Sequence, residues 1–502
     1  MLFRSEFSNR LITIDEVHNI RNVDGMKGTS EKFLELVTYA ENMKLLLLTA
    51  TPMFNDYKEI IWLTNLMNLN DNRYPIMISD VFDKHGKFKK EGDKDVGKEL
   101  LIQKLTGYVS YVKGENPFAF PYRIWPYEFE NPHSLLRLLK NNTIKYPIKQ
   151  INGKNITNPI ELLDLIYIKI GSYQEKGYNY IIDKLKKDII KKEKGLQYTI
   201  LDPPLQALNM IYPHEDLSKK STKNISKFLY GKKGLERVMT FKPRKKIDFE
   251  YKDSTLKNWG RIFSPKNLNN YSKKIHYIME QIKKSKGIVM IYSQYIDGGC
   301  VPLALALEEI GITRYGEKPN LFKTPPTKPI DSITMKPGSS INYPAKYIMI
   351  TGDKLLSGPR TSVSNKIELD ACTNLDNING EKVKVVIISK AGSEGLDFAN
   401  IRQIHILEPW YNLNRTDQII GRAVRNKSHC RLPYKERNVE IYLYGTELKN
   451  TENEAVDMYL YRFAEKKGIQ IGKVSRLLKE NAIDCLLNKN SHFSIEKNMK
   501  KK

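Results

Sequence analysis

The chain has 502 residues, 40% of them hydrophobic and 28% charged, the balance of a folded chain of about three domains at roughly 150 residues each. Lys and Arg number 82 against 57 Asp and Glu, a net charge of +25. No apolar run approaches the ~18 residues that span a membrane. Val301–Leu307, among the longest, is interrupted by Pro302. Met1–Arg10 shows no secretory signal core. Cys300, Cys372, Cys430 and Cys485 are too scattered for a zinc site or a disulfide framework, and a reducing compartment fits them. Neither an integral membrane protein nor a secreted disulfide scaffold is expected. The positive charge favours a polyanion, nucleic acid ahead of anionic membrane, though a chain rich in Lys, Ile, Asn and Tyr is also what AT-rich coding produces.

Along the chain, Leu11–Ile14 reads as a short buried strand. A helix follows with apolar positions at Phe33, Leu34, Leu36, Val37 and Ala40, and Leu45–Leu48 reads as a second buried strand. Strands alternating with helices predict a parallel α/β sheet. Between Pro132 and Pro265 the alternation fades. Lys pairs (Lys186 and Lys187, Lys191 and Lys192, Lys219 and Lys220, Lys232 and Lys233) with interleaved tyrosines suggest a basic inserted region able to meet phosphate backbones. The α/β pattern resumes with a basic helix, Tyr271–Lys286, and the strand Ile288–Tyr292. After these come a helix over Leu303–Ile310 and a surface loop over Gly316–Ala345. Further strands are expected at Tyr347–Ile350, Val383–Ile388, Ile404–Leu407 and Val439–Tyr444. Amphipathic helices follow at Val456–Lys467 and Val474–Asn488, then a basic end, Ser491–Lys502. No short-period repeat is present.

Four segments carry candidate chemistry. In the first, Asp15, Glu16 and His18 leave the strand Leu11–Ile14. A carboxylate pair at the C-terminal end of a parallel strand sits where α/β folds bind ligands, and can hold Mg²⁺ and orient water. It can equally be a strand end with two solvated acids. In the second, Thr49, Ala50 and Thr51 leave the next strand, either as a relay of hydroxyls or as a helix cap. In the third, Ile387–Phe398 holds Gly392, Glu394, Gly395 and Asp397. Its glycines let a backbone approach a phosphate or a sugar, or simply make a turn. In the fourth, Gln418, Gly421, Arg422 and Arg425 are spaced so that both arginines share one helix face. Two guanidinium groups there suit phosphate contacts and transition-state charge, or form an exposed basic turn.

Taken in order, Asp-Glu-x-His, Thr-Ala-Thr, Ser-x-x-Gly-x-Glu-Gly and Gln-x-x-Gly-Arg-x-x-Arg resemble motifs II, III, V and VI of superfamily 2 helicases. Ile291–Tyr295, with Ser293, resembles motif IV. Gly114–Arg123, Tyr230–Arg237 and Leu477–Cys485 are similar to segments of the Swi/Snf-like branch of large DNA viruses. That branch includes the poxvirus early transcription factor small subunit and nucleoside triphosphatase I. The resemblance covers almost the whole chain.

The resemblance implies two RecA-like parallel-sheet domains closing on ATP. It places a first, N-terminally incomplete domain at 1–131, a mostly helical basic insertion at 132–265, a second RecA-like domain at 266–450 and a helical extension with a basic tail at 451–502. It implies that Asp15 holds Mg²⁺, Glu16 activates water, and His18 couples to the Thr49, Ala50 and Thr51 segment. Ser293, Gly392, Glu394, Gly395 and Asp397 would meet nucleic acid or nucleotide. Arg422 and Arg425, supported by Gln418, would reach the γ-phosphate. The expected activity is an ATP-dependent helicase or translocase in viral transcription, in the virion or the host cytoplasm. The expected partners are nucleic acid (DNA before RNA) and viral RNA polymerase, with no membrane. One departure stands out: no Gly-x-x-x-x-Gly-Lys-Ser/Thr occurs in the sequence. A second polypeptide could carry that phosphate loop. Alternatively, the chain is a helicase-derived binding subunit without turnover.

Overall fold

The computed structural model describes residues 6–20, 27–111, 118–191, 198–219, 224–316, 319–338, 341–357, 363–390 and 396–488. The chain is α/β and forms two compact units. One comprises Met1–Glu115, Tyr411–Asn414 and Phe463–Lys502, the other Asn116–Trp410 and Arg415–Arg462.

In the first unit, β1 (Leu11–Ile14) and β2 (Lys44–Leu47) pair in parallel, with Leu11 beside Lys44 and Ile14 beside Leu47. Side chains alternate across the pleat. Ile12, Ile14, Leu45 and Leu47 therefore turn to a core built on Val17, Val37, Ile60, Leu66 and Leu101. The opposite face carries Leu11 and Leu46, 66% and 45% exposed. The sequence predicts strands buried on both faces. Among the described residues only one face is covered, so these strands are half-buried.

The second unit is organised by an eight-stranded parallel sheet. Its strands are β3 (Tyr122–Ile124), β4 (Ile166–Lys169), β7 (Ile288–Tyr292), β8 (Thr313–Arg314), β9 (Lys346–Ile350), β10 (Val385–Ile388), β11 (Ile401–Ile406) and β12 (Asn438–Glu447). β5 (Met239–Lys242) and β6 (Ile247–Tyr251) form a separate antiparallel hairpin. The order across the large sheet is β3-β12-β11-β7-β10-β9-β8, with β4 also on β12. β3 pairs at Asn438–Glu440 and β4 at Tyr444–Glu447, so the two short strands lie end to end along one long strand. Periodicity gives no strand at β4, because four residues whose partner lies far along the chain carry little local signal.

The central strands are buried on both faces, as parallel sheets require. Val289 and Ile291 of β7, with Ile387 of β10, pack in one core with Ile275, Ile278 and Ile282 and with Leu303–Leu307. Ile288, Met290 and Tyr292 face a second core with Ile348, Val386, Ile404 and Ile420. The helix before β7 is Lys273–Lys284, capped by the Ser272 hydroxyl accepting from the Ile275 amide. The loop 316–345 contains neither helix nor strand among its described residues. At the end of the chain one helix, Val456–Glu480, replaces the two expected. It runs through Gly468 and Gly472, and the short helix Cys485–Asn488 is separate. A Cβ on Gly468 would come within 2.9 Å of Leu413, so that glycine serves close packing rather than a break. All four cysteines are free thiols. Among the described residues no helix is long and apolar enough to cross a membrane.

Candidate functional site

The motif residues fall into two clusters, one in each unit. In the first unit, β1 delivers Asp15 and Glu16 exposed at its C-terminal end. Glu16 has φ 52°, a left-handed turn that β-strands do not continue through. Its amide donates to Asp15 Oδ1 at 2.9 Å. The turn drops His18 into the interior, 5% exposed. There Nδ1 lies 2.8 Å from Thr49 Oγ1, 3.4 Å from Thr51 Oγ1 and 3.2 Å from Glu16 Oε2. The Thr51 amide donates to Thr49 Oγ1 at 3.0 Å. The ring stacks on Phe54 at 5.2 Å between centroids. One imidazole therefore joins the acidic pair to the hydroxyls leaving β2. The link to Glu16 is an ion pair only when His18 is protonated. Ala50 is exposed between the two threonines.

Sequence reasoning missed the residues that hold this cluster from behind. Glu59 accepts from the amides of Phe54 and Asn55 at 2.7 and 3.1 Å. Asn414 Nδ2 donates to the carbonyls of Met53 and Phe54, both at 2.7 Å, and Asn412 Nδ2 donates to Asn55 Oδ1 at 2.7 Å. No local pattern reveals the two asparagine pairings, because they join residues more than 350 positions apart.

In the second unit, Asp397 is the meeting point of the two arginines. Arg425 pairs with it directly and Arg422 stands 4.0 Å away. The loop is held by the Phe398 amide donating to the Arg422 carbonyl at 3.0 Å. The expectation of one helix face for Arg422 and Arg425 is corrected. The helix Leu413–Ile420 ends before them. Its chain end turns at Gly421–Ala423, and the Ser428 hydroxyl donates to the carbonyls of Ala423 and Arg425. The arginines converge through Asp397, not through helical spacing. Gln418 is half-buried on that helix and makes no side-chain hydrogen bond among the described residues. Gly392, Glu394 and Gly395 lie outside the described residues.

Ser293 lies at the end of β7. It is fully buried, and its hydroxyl donates to Glu408 Oε1 at 3.0 Å. Glu408, overlooked in the sequence, follows β11 and collects the Gln294 amide at 2.5 Å and Asn209 Nδ2 at 2.8 Å. Burial pushes its carboxyl up to about 7 against the pull of these donors. Two residues on, Trp410 carries the Arg415 guanidinium 4.0 Å from its ring centroid. An acid closing an apolar run, Ile404–Leu407, is the one sequence signal that could have found Glu408.

Residues 364–427, which include Asp397, Gln418, Arg422 and Arg425, match the family described as Helicase conserved C-terminal domain. Over 97% of its length the chain is 25% identical to a candidate ATP-dependent RNA helicase of Acanthamoeba polyphaga mimivirus, covering 42% of that protein. Over 95% of its length it is 24% identical to the termination factor NPH-I homolog of African swine fever virus, covering 63% of it. The chain thus spans from about two fifths to somewhat under two thirds of these curated relatives. Among solved structures, the Hef helicase domain of Pyrococcus furiosus aligns over 92% of this chain and 75% of its own, at 13% identity and a TM-score of 0.35.

Proposed function

We propose that this chain carries motifs II to VI of an ATP-driven nucleic-acid helicase or translocase of a large DNA virus, acting in viral transcription. The observation that carries the reading is the His18 imidazole, set between the acids after β1 and the hydroxyls after β2. A merely solvated acidic turn has no need of a buried relay. Asp15 fits one position of a Mg²⁺ ion, which takes one or two carboxylates plus phosphate and water oxygens. Glu16 orients the attacking water, and Arg422 and Arg425 neutralise charge on the transferred phosphoryl group. Gln418 supports them. Glu394, Gly395 and Asp397 face nucleic acid or ribose. The similarity to a termination factor homolog supports a place in transcription; DNA ahead of RNA as the track and an RNA polymerase as a partner belong to the proposal itself.

No Gly-x-x-x-x-Gly-Lys-Ser/Thr lies within these residues, and a triphosphate needs such a cradle of amides plus a lysine. That observation favours a second reading for the chain on its own: a helicase-derived nucleic-acid-binding subunit. ATP hydrolysis separates the two readings. With a polypeptide carrying the loop present, nucleic-acid-stimulated turnover should appear and fall by ~10²-fold or more in Glu16→Gln. Equal turnover in that variant overturns the motif roles. No turnover with any loop-bearing polypeptide leaves the binding-subunit reading in place.

A further inference from the structure

The segment Tyr230–Arg237 carries none of the motif residues, yet it shapes a basic surface in the larger unit. Its helix, Gly231–Val238, buries Gly231, Gly234, Leu235 and Val238. A Cβ on Gly234 would come within 2.3 Å of the Tyr212 ring, so only glycine lets the helix seat this closely on Tyr212. Seating that face turns Lys233 and Arg237, one helical turn apart, to the other side.

There they border an open groove of about 510 Å³. The turn Ser226–Phe228 supplies Lys227 and Phe228, the end of β6 leads to Lys252, and the helix Asp253–Trp259 supplies Trp259. Four cations, Lys227, Lys233, Arg237 and Lys252, face two carboxylates, Glu215 and Glu236. Both carboxylates are already engaged: Glu215 pairs with Arg237, and Glu236 lies 3.8 Å from Lys232. Lys252 Nζ donates to the Glu236 carbonyl at 2.6 Å, which leaves its charge uncancelled. Lys233 makes no ion pair among the described residues. Lys227 sits 5.2 Å over the Phe228 ring. Phe228 and Trp259 are both partly exposed.

Unpaired ammonium groups alone would suit any acidic polymer. Aromatic faces between them select a partner that alternates phosphates with flat bases. We propose that this groove binds single-stranded nucleic acid, with phosphates on Lys227, Lys233 and Lys252 and a base stacked on Trp259. The proposal rests on the reading that nucleic acid is the partner, but it needs neither ATP nor the motif residues.

The test is equilibrium binding of the full chain, without nucleotide, to fluorescein-labelled oligo-dT of about 20 nucleotides across a salt series. Lys227→Gln with Lys233→Gln, both exposed and cheap to change, should weaken binding about tenfold. The same pair should make the log–log salt slope shallower by ~1.4, since each phosphate contact contributes ~0.7 on single strands. Trp259→Ala should weaken binding about tenfold at unchanged slope. An oligonucleotide carrying 5-iodouracil should cross-link to Trp259 or Phe228 in the unaltered chain, a readout that no folding defect confounds. Unchanged affinity and slope in the lysine pair, with cross-links only elsewhere, overturns the proposal. Competition by polyglutamate as strong as by oligo-dT at equal charge overturns the nucleic-acid assignment in favour of an acidic protein. Undiminished ATP turnover in Glu16→Gln, with oligo-dT binding intact, would overturn the motif roles and leave the groove standing.

Discussion

His18 Nδ1 lies 2.8 Å from the hydroxyl of Thr49, 31 positions later, because β1 and β2 are parallel neighbours that end side by side. If this contact holds the two strand ends together, its removal should be felt on both sides at once. His18→Ala should destabilise the chain by about 2 kcal/mol, from the lost hydrogen bond and the lost stack on Phe54. Thr49→Val should cost about 1 kcal/mol. Denaturant unfolding of both singles and the double should give a coupling energy near 1 kcal/mol. Strict additivity would separate His18 from Thr49.

Asp397 holds Arg425 and approaches Arg422, so the arginines are organised even though no helix aligns them. In an ATP-hydrolysing assembly, Arg425→Ala should lower kcat by about 10³-fold, with KM for ATP changed far less. Steady-state kinetics check this, and near-normal kcat would remove Arg425 from the chemistry.

Glu408 is 2% exposed and its carboxyl sits near 7 in the folded chain. The native state then holds this proton where the unfolded state has released it. The contribution to stability is full at low pH and is lost as pH rises from about 4.5 to about 7. Glu408→Gln cannot titrate, so its stability relative to the parent should climb across that window. Parallel pH curves for the two proteins would show that Glu408 keeps an ordinary carboxyl.

His405 and His429 carry the opposite slope. Burial pushes His405 down to about 3 and His429 down to about 4, and His405 Nδ1 rests 2.6 Å from the Tyr444 hydroxyl. Both stay neutral while their unfolded counterparts take up protons. Their contribution is present above about 6.5 and lost as pH falls toward 4 and then 3. His405→Gln should flatten acid unfolding, as followed by circular dichroism, between pH 6.5 and 4. An unchanged acid limb would show that His405 does not drive it.

Lys274 and Asp457 form a buried ion pair at 2.7 Å, 2% and 0% exposed. Lys274→Met strands the carboxylate, and should cost about 3–5 kcal/mol. Adding Asp457→Asn should restore much of that loss, because no uncompensated charge remains inside. Thermal melts of the single and double variants distinguish the outcomes.

Much of this protein was legible in the residues. The apolar runs expected at Ile288–Tyr292, Val383–Ile388 and Ile404–Leu407 fall on central parallel strands, observed at Ile288–Tyr292, Val385–Ile388 and Ile401–Ile406, because a strand buried on both faces is mostly apolar and needs no distant context to be read. The order of the motifs likewise fixed which residues leave strand ends. Other features were decided only by tertiary structure. β3 and β4 exist because β12 is long enough to seat both. Arg422 and Arg425 meet because Asp397 lies between them. Ser293 turns inward because Glu408, 115 positions on, offers an acceptor where water is excluded. Each of these depends on a partner distant in the chain, and local periodicity and spacing hold no information about such partners until the sheet has brought the strand ends together.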